Sequence, residues 1–248
     1  TGSKAASIFV PVVNLGWYTI QAATYGHFVA QVFHMGQVGE GICMAVSAIV
    51  MGIFAMCGIG AITILGYIAI PAIVFLSIAT AIRSLGVIGG MEALFAYVPS
   101  SDMPLFTGIT AVIGTWVLST ATCIADIMRY AKDTKAAVSA TLTGLLGGNI
   151  LMIVCGAIAA IAMQNSDLTV ILLGFGLVIP SLILMTTNIF TTNAANLYST
   201  SLNLSNAFKM ERKKMLAILL VLSALATLTK PYEIGFLFTF LNILGTVV

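Results

Sequence analysis

Ala61-Ile-Thr-Ile-Leu-Gly-Tyr-Ile-Ala-Ile-Pro-Ala-Ile-Val-Phe-Leu76 carries no charge and is apolar on nearly every helical face. A helix on a water-soluble body keeps a polar side, and a barrel strand alternates apolar and polar residues over about ten positions. This run does neither. It sits in a charge-free window from Glu40 to Arg83, which holds two crossings at the roughly 20 residues that a helix needs to span hydrocarbon. Similar windows run from Lys4 to Glu40, Asp102 to Asp126, Lys135 to Asp167 and Asp167 to Lys209. Shorter ones lie between Lys214 and Lys230 and beyond Glu233. The pattern predicts an all-α integral membrane protein of about eight transmembrane helices, at residues 7–33, 41–58, 62–82, 104–128, 136–163, 175–200, 214–230 and 233–248. These form one transmembrane domain over 1–248, and 168–208 has room for a short helix before its long crossing.

Composition agrees with the windows. Of 248 residues 60% are hydrophobic and 7% charged, where a soluble domain carries about 25% charge. A net charge of +2 from ten basic and eight acidic residues offers no cluster for phosphate neutralisation, which excludes nucleic acid as a partner. If the first span starts in the cytoplasm, Lys4, Arg129, Lys132, Lys135, Lys209, Arg212, Lys213 and Lys214 face inward, against Arg83 and Lys230 outside. That distribution obeys the positive-inside rule. The segment Ser84–Asp102 is then an external loop with a short helix near Met91–Tyr97. The chain opens without Met and its last apolar run is short for a crossing, so it is expected to be an internal piece of a longer polypeptide.

Chemistry of other kinds is missing from the motifs. The four cysteines fall within spans without a CxxC pair, and His27 and His34 stand two turns apart, too far for a metal grip. They read as packing or interfacial residues. No Ser-His-Asp set, HExxH or phosphate-binding glycine loop occurs, so the chain is expected not to be an enzyme and to need no cofactor.

Three polar stretches stand where lipid would otherwise be, and buried polar groups in hydrocarbon turn to other helices or to a cavity. Asn14, Trp17 and Gln21 fall at i, i+3 and i+7, two amides and an indole on one face beside Gly16. Glue between helices and contact with a ligand explain them equally well. Gly114-Thr115-Trp116, followed by a Ser/Thr-rich turn, fits a discontinuous helix with backbone groups open to a ligand, or a continuous one whose hydroxyls bond their own carbonyls. Asn188, Thr191, Thr192, Asn196 and Ser199 form one stripe of neutral oxygens. Such oxygens suit a small monovalent cation, whereas zinc favours Cys or His and calcium recruits carboxylates. Interhelical hydrogen bonding is the competing explanation.

Asn14-Leu-Gly-Trp17, Ile62–Ile73, Ala125-Asp126-Ile-Met-Arg129-Tyr130 and Asn188-Ile-Phe-Thr-Thr-Asn193 with Leu197-Tyr198 resemble the nucleobase–cation symporter family, and cytosine permeases within it. The resemblance implies a leucine-transporter-type bundle of two inverted repeats with broken first and sixth helices, present here in part from the third helix to the tenth. It implies that Trp17 and Trp116 sandwich a heteroaromatic base, with Gly114 and Thr115 at the same place and Asn14 or Gln21 reading the edge. It also implies sodium at Asn188, Thr191 and Thr192.

The expected function is import of cytosine or a related nucleobase, coupled to sodium or proton entry by alternating access in the plasma membrane. The partners implied are the base, a monovalent cation and the bilayer. Another solute on the same fold (allantoin, hydantoin, a purine, an amino acid) and a channel are the alternatives. Asp126 and Arg129 close their span's inner end as a structural or gating ion pair.

Overall fold

A computed structural model describes residues 2–99, 102–115, 121–165 and 168–247, with side chains for 8–99, 102–113, 124–165 and 170–243. Among the described residues all regular structure is helical and no strand occurs. In chain order the helices are α1 (Gly2–Val32), α2 (Gln37–Met56), α3 (Ile59–Ile88), α4 (Met91–Phe95), α5 (Leu105–Thr115) and α6 (Ala121–Met128). They are followed by α7 (Thr134–Leu142), α8 (Asn149–Met163), α9 (Leu168–Gly174), α10 (Val178–Phe208), α11 (Arg212–Thr227) and α12 (Ile234–Val247). A π turn over Thr143–Gly148 joins α7 to α8. The short helix before α10 and the one near Met91 are where the sequence puts them. Trp116 and the Ser and Thr residues directly after it, where the sequence fits either a broken or a continuous helix, lie outside the described residues.

Among the described residues three helical stretches are long and apolar enough to cross a membrane by length and composition: Gln37–Met56, Ile59–Ile88 and Thr134–Met163. Helices α1 and α10, at 31 residues each, extend about 46 Å at 1.5 Å per residue and carry the polar stretches. On α3 the buried residues are Ala69, Ser77, Thr80, Ala81 and Ser84, while Ile64, Ile68, Ile70, Phe75 and Ile82 are exposed. Small and hydroxylated residues inside with large apolar ones outside is the packing of helices in lipid, where close approach rather than water exclusion holds them together. Turns obey local chemistry. Gly58 takes φ 83° between α2 and α3, a conformation that a Cβ disfavours, and Asp133 caps α7 by accepting a 2.7 Å bond from the Ala136 amide.

The chain forms two compact units. The first comprises Thr1–Leu65, Met103–Arg129 and Ile189–Val248. Within it α1 and α2 run antiparallel: Tyr18 donates its hydroxyl to the Ala48 carbonyl, and Gly26 lies so close to Met44 that a Cβ would enter its backbone. The end of α10 also runs antiparallel to α1, since Asn193 Nδ2 bonds the Tyr18 carbonyl at 3.0 Å and Thr200 Oγ1 reaches that of Pro11 at 3.4 Å. Helix α11 packs on α2 with Gly52 beneath Leu220 and Arg212 Nη2 donating to the Ala55 carbonyl at 3.0 Å. Helix α12 pairs with α5, where Thr110 Oγ1 donates to Asn242 Oδ1 at 2.6 Å.

The second unit comprises Gly66–Asp102 and Tyr130–Asn188. Ala159, Ile171 and Phe175 make its core, with Met163 and Leu177 packed against them. Arg83 Nη2 donates to the Phe175 carbonyl at 2.8 Å, and its guanidinium lies 5.3 Å from that residue's ring centroid. A cavity of about 250 Å³ between Ser77, Thr80, Met152, Cys155 and Leu184 is largely apolar.

Candidate functional site

The face of α1 that carries Asn14, Trp17 and Gln21 is the most unusual polar surface in the first unit. Helical spacing aligns the three; Asn14 is buried, and Trp17 and Gln21 are half-buried. Asn14 is 0% exposed, and neither its amide nitrogen nor its amide oxygen has a hydrogen-bond partner. The indole N–H of Trp17 and Oε1 of Gln21 are likewise buried without partners. A buried amide or indole left unpaired costs about 1–3 kcal/mol, and four such atoms lie on this face. They comprise two donors and two acceptors.

Phe240 supplies the apolar side. Its ring meets Trp17 edge to face, with centroids 5.6 Å apart and planes at 82°. Both pack on Val13, which is buried, together with Phe9. Gly16 is what admits the ring, because a Cβ at that position would stand 2.7 Å from Phe240. Sequence reading chose Trp116 as the second aromatic plane. Trp116 lies outside the described residues, and Gly114 and Thr115 are known only as the last two backbone positions of α5. The aromatic seen against Trp17 is Phe240, which the sequence hides as one apolar residue among many in α12.

The stripe on α10 divides. Asn188 and Thr191 are half-buried, Thr192 is exposed, and each already has an interaction within the protein. The stripe's other end is structural. Ser199 donates to Asp126 Oδ2, which also accepts from Asn203 Nδ2 at 2.9 Å. Arg129 Nη2 donates to the Tyr198 hydroxyl at 2.9 Å, and the Arg212 guanidinium sits 4.6 Å from the Tyr198 ring. Asp126 and Arg129 therefore both find partners on α10. Asn193 faces away from the stripe and is 0% exposed. It bonds the Tyr18 carbonyl and Met51 Sδ (3.0 and 3.2 Å). It is a tie between three helices, a role that only the fold reveals.

The α1–α2 hairpin gives His27 a carboxylate neighbour: its Nδ1 lies 2.9 Å from Glu40 Oε1. Among the described residues no group of three or more His, Cys, Asp or Glu side chains is placed to hold a metal.

An all-α, multi-pass membrane protein with an unsatisfied polar face on one long helix is the class these features define. The whole chain, residues 1–248, matches the family described as permease for cytosine/purines, uracil, thiamine, allantoin, and the chain belongs to that family. It is similar to the cytosine permeases of Escherichia coli strain K12 and Escherichia coli O157:H7. It is 29% identical to each over 217 residues, which is 88% of this chain and 51% of theirs. The chain spans about half the length of the curated relatives it matches.

Proposed function

We propose that this chain contributes the substrate face of a secondary transporter that imports cytosine or a related nucleobase together with a cation, by alternating access in the plasma membrane. The observation that carries the reading is the buried, unpartnered set on α1: both amide atoms of Asn14, the Trp17 indole N–H and Gln21 Oε1. A nucleobase edge carries both donors and acceptors, and its flat face suits an aromatic wall. The relatives named as cytosine permeases support the base over other solutes.

Trp17 is assigned to stacking, Asn14 and Gln21 to the edge, and Gly114, Thr115 and Trp116 to the opposite wall of the site. Thr191 and Thr192, with Asn188 one turn earlier on the same helix, are assigned to sodium through their neutral oxygens. A proton is the alternative coupling ion.

Uptake of labelled cytosine by the full chain in proteoliposomes, with and without an inward sodium gradient, tests the reading. Trp17→Ala and Asn14→Ala should each raise the concentration for half-maximal uptake at least about tenfold, the equivalent of one lost interaction of about 1.4 kcal/mol. Unchanged values in both would remove α1 from the site. Competition by unlabelled purines, uracil and allantoin ranks the bases. Thr191→Ala with Thr192→Ala should flatten the sodium response while leaving the response to cytosine concentration measurable. A wild-type sodium curve would refute the cation assignment.

A further inference from the structure

The charges at the two ends of α11 are met differently. Beyond its last turn, Lys230 Nζ reaches Glu40 Oε2 at 3.5 Å, and the Tyr232 hydroxyl donates to Oε1 of the same carboxylate at 2.6 Å. At its start Lys213 and Lys214 are exposed, as is Lys209 in the turn from α10. Among the described residues none of these three lysines has an ion-pair or hydrogen-bond partner for its ammonium group. Glu211, exposed between them, is the one carboxylate in that stretch of chain. Arg212 is engaged elsewhere: Nε donates to Ser201 Oγ at 3.1 Å and Nη2 to the Ala55 carbonyl at 3.0 Å. Together with the 3.0 Å bond from the Met210 amide to the Ser205 carbonyl, these contacts hold the turn and set where the lysines emerge.

Below the lysines α11 has an outward apolar face. Leu216, Leu219 and Ser223 are buried, while Ile218, Val221, Leu222 and Leu225 are between 46% and 61% exposed. Lys214, Ile218, Val221 and Leu225 follow i, i+4, i+7 and i+11 spacing, so Lys214 heads that exposed face. The row from Lys214 to Leu225 runs about 16 Å at 1.5 Å per residue, close to one leaflet of a hydrocarbon core about 30 Å thick.

We propose that this face binds one acidic phospholipid, whose phosphate sits at Lys213 and Lys214 and whose acyl chain lies along Ile218, Val221 and Leu225. Charge and shape choose the occupant together. Unpaired ammonium groups at a membrane surface attract anionic headgroups, and a zwitterionic headgroup brings a positive group of its own that they repel. Free phosphate would answer the lysines but leave the apolar row uncovered. A lipid answers both, with headgroup and chain joined in the order in which the helix presents their partners. The lysine stems can lie along apolar surface while their ammonium groups stay at the water boundary, and Lys209 adds its charge from across the turn. The inference stands whether or not the transported molecule is a base.

Quenching by brominated lipids reads this face locally and needs no transport. The full chain with both native tryptophans removed by Trp17→Phe and Trp116→Phe carries a single indole placed by Leu222→Trp. It is reconstituted in mixtures of phosphatidylcholine and phosphatidylglycerol. In paired samples one lipid or the other has brominated acyl chains, so quenching reports which of them lies against α11. Phosphatidylglycerol should be preferred about fivefold, the equivalent of one lysine near the surface. Lys213→Gln with Lys214→Gln should abolish the preference, and Lys213→Arg with Lys214→Arg should keep it. Millimolar glycerol phosphate in the buffer should leave it unchanged. Equal quenching by the two lipids in the chain with both lysines would overturn the proposal. So would a preference that survives the glutamine pair, one lost in the arginine pair, or one that glycerol phosphate removes, which would mark a site for soluble phosphate.

Discussion

Two buried asparagines in the first unit differ in how far their amides are satisfied: Asn193 leaves only its oxygen unpaired, Asn14 both polar atoms. Asn193 has its amide nitrogen bonded to the Tyr18 carbonyl at 3.0 Å, whereas Asn14 has no partner for either polar atom. Replacing Asn193 by Leu removes a tie and should cost about 1 kcal/mol, the usual worth of an interhelical hydrogen bond in a membrane. Replacing Asn14 by Leu removes an unpaired amide and should raise stability by roughly 1–3 kcal/mol, while weakening substrate binding. Thermal unfolding of both variants in detergent without ligand, set beside uptake, checks the sign of each change. The Asn14–Trp17–Gln21 face was legible in the sequence because polar residues at helical spacing stand out in an apolar run. Phe240 was not, because an aromatic side chain among Phe, Leu and Ile gives no sign of which residue it will meet.

At the scale of the helix, glycine decides how near two axes come. Gly26 abuts the Met44 backbone and Gly52 abuts the end of the Leu220 side chain. A methyl group added at Gly26 has nothing flexible to displace, so α1 and α2 must move apart; one added at Gly52 meets a side chain that can change rotamer. Gly26→Ala should therefore destabilise by about 1–3 kcal/mol, the common cost of overpacking, and Gly52→Ala by less. The order of the two melting temperatures decides the point. Helix existence was readable from the charge-free windows, since hydrocarbon tolerates little else. Helix limits were less so: α3 runs on to Ile88 and α10 to Phe208, beyond the apolar stretches that betrayed them. The end of α10 is polar and is held by a neighbour, since Asn203 Nδ2 donates to Asp126 Oδ2 at 2.9 Å.

For the whole molecule the solvent is lipid, and the outward face of α3 makes a direct test. Phe75 is 72% exposed and lies within the apolar span Ile59–Ile88, on the charge-free side of Arg83. Phe75→Arg should penalise membrane insertion by about 2.5–3.5 kcal/mol, while Thr80→Ser, on the buried side of the same helix, should insert normally. A glycosylation-site insertion assay reads the difference, and equal insertion of the two would show that this face does not meet hydrocarbon. The partnership of His27, Glu40 and Tyr232 belongs to this scale too. Three chain regions supply it, so no local window of sequence contains it.

The wide turn over Thr143–Gly148 has a rotational consequence. One surplus residue in a helix advances everything after it by about 100°. Cys155 and Ala159, one turn apart and buried, owe their inward bearing to that offset, while Ile153 and Val154 are exposed. Straightened to an ordinary helix, the segment would turn the small-residue row of Cys155 and Ala159 by about 100° away from its buried bearing. The turn works as a phase adjuster, letting the helix halves on either side of it aim their faces independently.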